Sequence, residues 1–128
     1  MVIAQGGEHF TKFYILGPEG KAGNYTTKYI LGENSTITLG IVNHEYRHVN
    51  YTMEIWLENK SLSLPENLQY ITLAHNETWQ KPVTFSPPFV GKNMKLEFLL
   101  FNETNKNTSY RNLNLWIDVN STKGAKGS

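Results

Sequence analysis

Along most of this chain the apolar residues fall on every second position. In Thr36-Ile37-Thr38-Leu39-Gly40-Ile41-Val42 the alternation is carried by β-branched and leucine side chains. Further on, Tyr51, Met53, Ile55 and Leu57 alternate with Thr52, Glu54, Trp56 and Glu58. A period of two puts successive side chains on opposite faces of an extended strand, one toward a core and one toward solvent. The same pattern, punctuated by Gly, Pro and Asn turns, predicts strands over 10–16, 25–31, 35–43, 49–58, 70–74, 78–85, 93–101 and 110–119. Residues 62–68, broken by Pro65, read as an edge or a loop. Hairpins are expected between 35–43 and 49–58, between 70–74 and 78–85, and between 93–101 and 110–119. No stretch carries the 3.6-residue apolar period of a convincing helix. The sum is an all-β domain, an antiparallel immunoglobulin-like β-sandwich of seven or eight strands. It spans 9–120, with flexible segments at 1–8 and 121–128.

The sharpest motif lies between the two central strands. His44-Glu45-Tyr46-Arg47-His48 matches H-E-x-x-H, the zinc-peptidase signature. That chemistry needs both histidines on one helical face, with the glutamate as general base for a metal-bound water. On an extended strand, residues four apart stand roughly 13 Å apart, beyond the reach of one zinc ion. Both flanks alternate with period two, so a turn between antiparallel strands displaces the peptidase helix. Jointly, His44, Glu45 and His48 remain able to hold an adventitious metal, and no stoichiometric zinc or other cofactor is expected.

Composition narrows the classes further. The net charge is +1 and the twelve Lys and Arg are scattered, which leaves no footprint for nucleic acid or an anionic membrane. Cysteine is absent, excluding thiolate catalysis, Cys-based zinc sites and disulfides. The only aspartate is Asp118, which counts against calcium loops and against a Ser-His-Asp triad. Glu54 and Glu58 share a strand face as solvated residues rather than as an acid–base pair.

Asparagine changes the picture more. Eight Asn-x-Ser/Thr triplets start at Asn24, Asn34, Asn50, Asn59, Asn76, Asn102, Asn107 and Asn120. Fourteen asparagines, each followed at the Ser/Thr frequency of nineteen in 128, would give about two by chance. Turn-rich β-proteins favour Asn, Ser and Thr for their own reasons. The excess still points to an extracytoplasmic, N-glycosylated surface. No apolar run approaches the ~18–20 residues of a membrane span.

Strand parity also sorts the aromatics. With Met94, Leu96, Phe98 and Leu100 inward on one strand and Leu113, Leu115, Ile117 and Val119 inward on the next, Leu99, Phe101 and Trp116 turn outward, as Trp56 does. In an immunoglobulin-like topology these three strands share a sheet. Trp56, Leu99, Phe101 and Trp116 are therefore a candidate contact patch, for a second copy, a neighbouring domain or the membrane surface.

Several stretches together resemble one family. These are Phe10-Thr-Lys-Phe-Tyr-Ile-Leu-Gly-Pro-Glu-Gly20, Gly32-Glu-Asn34, Gly40-Ile-Val-Asn-His-Glu45, Asn50-Tyr-Thr52, Leu73-Ala-His-Asn-Glu-Thr-Trp79 and Leu115-Trp-Ile-Asp-Val119. Over roughly residues 9 to 119 the chain resembles the soluble C-terminal domain of an archaeal membrane-protein family, domain of unknown function number sixteen-sixteen. The resemblance implies membrane-spanning helices before Met1 and a domain facing outside. It carries no catalytic residues. The expected function is accordingly non-enzymatic, in interaction or envelope structure, with an unidentified protein or envelope partner or a second copy. Two rivals stand beside it: a carbohydrate-binding module stacking sugars on Trp56 and Trp116, and the zinc peptidase.

Overall fold

The computed structural model describes residues 9–16, 28–103 and 107–121. The expected flexible segment 1–8, the turn at 17–20, Asn24, the start of the second strand and the tail from 122 lie outside the described residues. Nine strands and one short helix follow in order: β1 (Phe10–Leu16), β2 (Lys28–Ile30), β3 (Ser35–His44), β4 (Val49–Leu57), β5 (Lys60–Leu62), α1 (Glu66–Gln69), β6 (Tyr70–Leu73), β7 (Thr78–Phe85), β8 (Gly91–Asn102) and β9 (Arg111–Asn120). One sheet has the order β1-β3-β7, the other β2-β9-β8-β4-β5, with β6 also pairing β4. All described pairs are antiparallel except β2 with β9.

Alternation built this sandwich. Ile37, Leu39 and Ile41 from the first sheet meet Tyr51, Met53, Ile55, Leu57, Leu96, Phe98 and Leu100 from the second in one buried cluster. Each fully buried large side chain contributes about 1.5–3 kcal/mol relative to exposure.

Two of the three expected hairpins are corrected. β3 and β4 do not pair, and neither do β6 and β7; each connection crosses from one sheet to the other. Period two reveals which face of a strand is inward but not which strand lies beside it. The crossings are built by left-handed residues, Tyr46 at φ 64 and Asn76 at φ 68. The β8–β9 hairpin forms as expected. An unexpected hairpin, β4–β5, turns on Glu58 and Asn59, both at positive φ as a two-residue type I′ turn requires. The short β5 takes the strand number from the eight expected to nine among the described residues.

Residues 62–68 hold the end of β5 and the start of α1. Pro65 sits at the helix N-cap with φ −59, where its ring costs nothing, and its carbonyl accepts from the amides of Leu68 and Gln69. Leu68 is buried beneath the turn. Gly40, in the middle of β3, leaves room for the Tyr14 ring, whose hydroxyl donates to Gln80 at 3.0 Å. Asp118 accepts from the amide of Asn93 at 2.8 Å, which with Lys28 nearby holds its carboxyl below the usual range.

Candidate functional site

The helix that a zinc peptidase requires at His44–His48 is not formed. β3 ends at His44, and the chain bends through Glu45, Tyr46 and Arg47 before β4 begins at Val49. Among the described residues, no group of three or more His, Cys, Asp or Glu side chains is placed to hold a metal ion. The motif's residues are instead occupied structurally. Asn43, 0% exposed, donates from its amide nitrogen to the carbonyls of Arg47 and Leu73, both at 2.8 Å. Its side-chain oxygen accepts from the Glu45 amide at 2.7 Å. Its backbone joins the next crossing as well, bonding Glu77 and Asn76. One buried carboxamide thus ties both inter-sheet crossings together.

Glu45 serves a second junction. Its Oε2 accepts from the Thr11 hydroxyl at 2.7 Å and the Tyr110 hydroxyl at 2.6 Å. Thr11 also shares a 2.7 Å hydrogen bond with the buried Tyr51 hydroxyl, and its carbonyl accepts from Arg111 at 3.0 Å. Around the bend, the Tyr46 ring stacks on His75 at 4.3 Å and meets His9 edge-on at 5.0 Å. His44 bonds the Asn76 side chain at 3.2 Å. His48 is exposed beyond the bend.

Burial pushes the Tyr51 and Tyr29 phenols from their ordinary value of 10.0 up to about 12. Below pH 10 both phenols are protonated in the folded and unfolded chains alike, so their stabilising burial is fully present. Above it the unfolded chain loses protons first, and stability falls until the folded phenols ionise near pH 12. Stability to urea is expected to be level up to about pH 10 and then to decline by about 2 kcal/mol per tyrosine. Urea midpoints measured from pH 8 to 12 check this, and Tyr29→Phe should make the decline shallower.

The outer face of the larger sheet differs from the expected apolar patch. Trp116 is 56% exposed, while Trp56 and Leu99 are half-buried. Phe101 is a correction: it is only 9% exposed, although it lies outside the contiguous core cluster. Leu100 and Arg111 form the last β8–β9 pair, and the returning connection bonds back at once through the Tyr110 amide to the Leu100 carbonyl. Phe101 therefore sits where the ladder gives way to that connection. Parity states the side from which a side chain starts, not what lies over it.

The two tryptophans do not form one platform. Trp56 pairs with Glu97 and Trp116 with Lys95, which puts their Cα atoms roughly 12 Å apart across β8. Between them Lys95 and Glu97 form an ion pair at 3.2 Å. Trp56 instead lines an open cleft of about 420 Å³ on its other side, together with Tyr70, Glu54, Gln69, Ser61 and Ser63. The Trp56 indole N–H donates to the Glu54 carboxylate at 2.9 Å. Tyr70, 61% exposed, was not among the sequence candidates, because its position beside Thr52 follows from the β4–β6 register.

Of the seven sequon asparagines among the described residues, Asn34, Asn50, Asn59, Asn76, Asn107 and Asn120 are exposed and Asn102 is half-buried. Asn59 occupies the β4–β5 turn and Asn76 the β6–β7 crossing.

Comparison with known proteins agrees with this architecture. A family model described as "Domain of unknown function (DUF1616)" matches residues 4–118. No curated protein matches the chain. Among solved structures, the chain is similar to the CARDB domain of a Pyrococcus furiosus protein crystallised with di-metal ions, at TM-score 0.63 and 10% identity, covering 93% of this chain and 100% of that one. It is also similar to a FixG-related protein from Vibrio parahaemolyticus, at TM-score 0.60 and 12% identity, covering 85% and 95%. A third likeness is to native alpha-2-macroglobulin of Escherichia coli from domain MG7 to the C-terminus, at TM-score 0.57 and 13% identity, covering 90% of this chain and 17% of that one. At these identities the likeness concerns the fold alone.

Proposed function

The chain belongs to the DUF1616 family, and from that premise we propose that it is a non-enzymatic binding domain displayed outside the cytoplasm. Its anchor is a set of membrane-spanning helices beyond this chain, and it serves interaction or envelope structure. The observation that carries the reading is the disposition of the Asn-x-Ser/Thr triplets. Six of their seven described asparagines stand in solvent, on turns, strand edges and outward strand positions where a glycan is accommodated without unfolding anything. The H-E-x-x-H glutamate supports the non-enzymatic part, since its carboxylate oxygen is engaged by two hydroxyls. Trp116 supports a contact role, because a monomer gains nothing from holding an indole in water.

Peptide mapping by mass spectrometry of the protein from its native host tests the location. Glycan is expected at several of Asn34, Asn50, Asn59, Asn76, Asn107 and Asn120. Uniformly unmodified sequon peptides would remove the main support for an extracytoplasmic surface while leaving the fold untouched.

A further inference from the structure

We infer that the cleft between Trp56 and Tyr70 is a binding site for a neutral saccharide. The inference deepens the proposed binding role and rests on it for its setting, but it concerns a different observation.

The cleft has a cause in the pairing of β4. On one side of that strand, β6 covers Val49–Thr52 and β5 covers Ile55–Leu57, which leaves Met53 and Glu54 without a paired residue. The chain leaves β5, passes through Ser63 to Pro65, makes the single turn of α1 and returns as β6. That detour opens a gap in the sheet edge, floored by β4 and walled by Trp56 and Tyr70. At about 420 Å³ it falls within the ~300–1,000 Å³ typical of small-molecule sites.

The lining selects the ligand chemistry. Two aromatic side chains line the cleft, and an aromatic face, which carries partial negative charge, attracts the C–H surface of a pyranose ring. Around them stand a carboxylate at Glu54, a carboxamide at Gln69 and hydroxyls at Ser61 and Ser63, which together can accept from and donate to sugar hydroxyls. Glu54 is held by the Trp56 indole N–H, so the acceptor and the stacking surface are positioned as one unit. Among the described residues no Lys, Arg or His lines the cleft, and the one charged group lining it is an acid. Phosphorylated and acidic sugars are therefore disfavoured by like charge, and a neutral ring is favoured.

A second observation bears on the source of the sugar. Asn50 and Thr52 of the Asn50-Tyr51-Thr52 sequon lie on the same outward parity as Glu54 and Trp56. A smaller groove of about 270 Å³, lined by Asn50, Thr52, Tyr70, Thr72 and Glu103, adjoins the cleft and shares Thr52 and Tyr70 with it. Both a glycan on Asn50 of the same chain and a glycan of another molecule can reach the site.

The test uses the whole 128-residue chain made without glycosylation in a bacterial cytosol. An array of neutral oligosaccharides containing glucose, galactose, mannose and N-acetylglucosamine is screened, and hits are titrated by tryptophan fluorescence. At least one neutral oligosaccharide is expected to bind, with affinity at least tenfold weaker in Trp56→Ala and in Tyr70→Ala and unchanged in Trp116→Ser. Tyr70 is an exposed side chain whose removal spares the core, so its variant remains informative if Trp56→Ala fails to fold. Binding by none of the array, or binding that survives Tyr70→Ala, overturns the proposal. Failure here together with glycan on the native sequons would sink the cleft and leave the extracytoplasmic reading intact. To separate the sources, the same titration is run on native-host protein. Binding that is blocked there and restored by Asn50→Gln assigns the site to the chain's own glycan; binding unchanged in both assigns it to a glycan of another molecule.

Discussion

Replacing Asn43 by alanine is expected to destabilise the domain by about 3–4 kcal/mol. The carboxamide is fully buried and satisfies three backbone groups at once, the carbonyls of Arg47 and Leu73 and the amide of Glu45. Alanine leaves those groups inside the protein without partners, and each orphaned polar group costs about 1–3 kcal/mol. Water admitted to the vacated space recovers part of that sum. Asn43→Asp is expected to be no better, because a carboxylate has no proton to donate to two carbonyls. Urea unfolding at pH 7 measures both variants. A loss below about 1 kcal/mol in Asn43→Ala would mean that the two crossings hold their shape without it.

The second large effect belongs to Glu45. Glu45→Ala removes the acceptor of the Thr11 and Tyr110 hydroxyls and unsettles Tyr51 behind Thr11. Hydrogen bonds to a charged group contribute about 1.5–3 kcal/mol, so a loss of about 2–3 kcal/mol is expected. Glu45→Gln retains a carbonyl oxygen and should recover part of it. His48→Ala, at an exposed position of the same motif, should stay within about 0.5 kcal/mol. The contrast discriminates between roles, because a zinc peptidase would depend on the second histidine as much as on the glutamate. Added zinc should shift the melting temperature of neither the parent nor His48→Ala. A zinc-dependent rise that His48→Ala abolishes would restore the metal reading.

Face and partner were not equally legible in the sequence. The inward row Tyr51, Met53, Ile55 and Leu57 could be read directly, because burial imposes a period of two on any strand with one wet side. The same row on β3 runs Ile37, Leu39, Ile41 and then Asn43, so a polar side chain aimed at the core was visible in the alternation. What it bonds was not visible, since Leu73 and Arg47 reach it only once two sheets are stacked. Strand neighbours were illegible for the same reason, and β3 and β4 turned out to face each other across the core rather than share a ladder. Tyr70 escaped notice because its place in the same cleft as Trp56 depends on where β6 docks along β4. Phe101 was misplaced because parity states the side from which a side chain starts, not how deeply it ends up buried.

The strand pairings also set the order in which the chain can fold as it is made. Among the described strands only β4–β5 and β8–β9 join sequence neighbours as hairpins. β3 waits for β7, β4 for β8, and β2 for β9, whose Val119 and Asn120 stand against Tyr29 and Ile30. Topologies dominated by such distant pairings fold on the order of milliseconds to seconds, and here the larger sheet cannot close until residue 120 has left the ribosome. Until then Asn34, Asn50, Asn59 and Asn76 belong to a chain whose larger sheet is still open. Any enzyme that modifies asparagine in extended polypeptide therefore meets the early sequons before the fold does, and meets Asn120 only as the last strand locks into place.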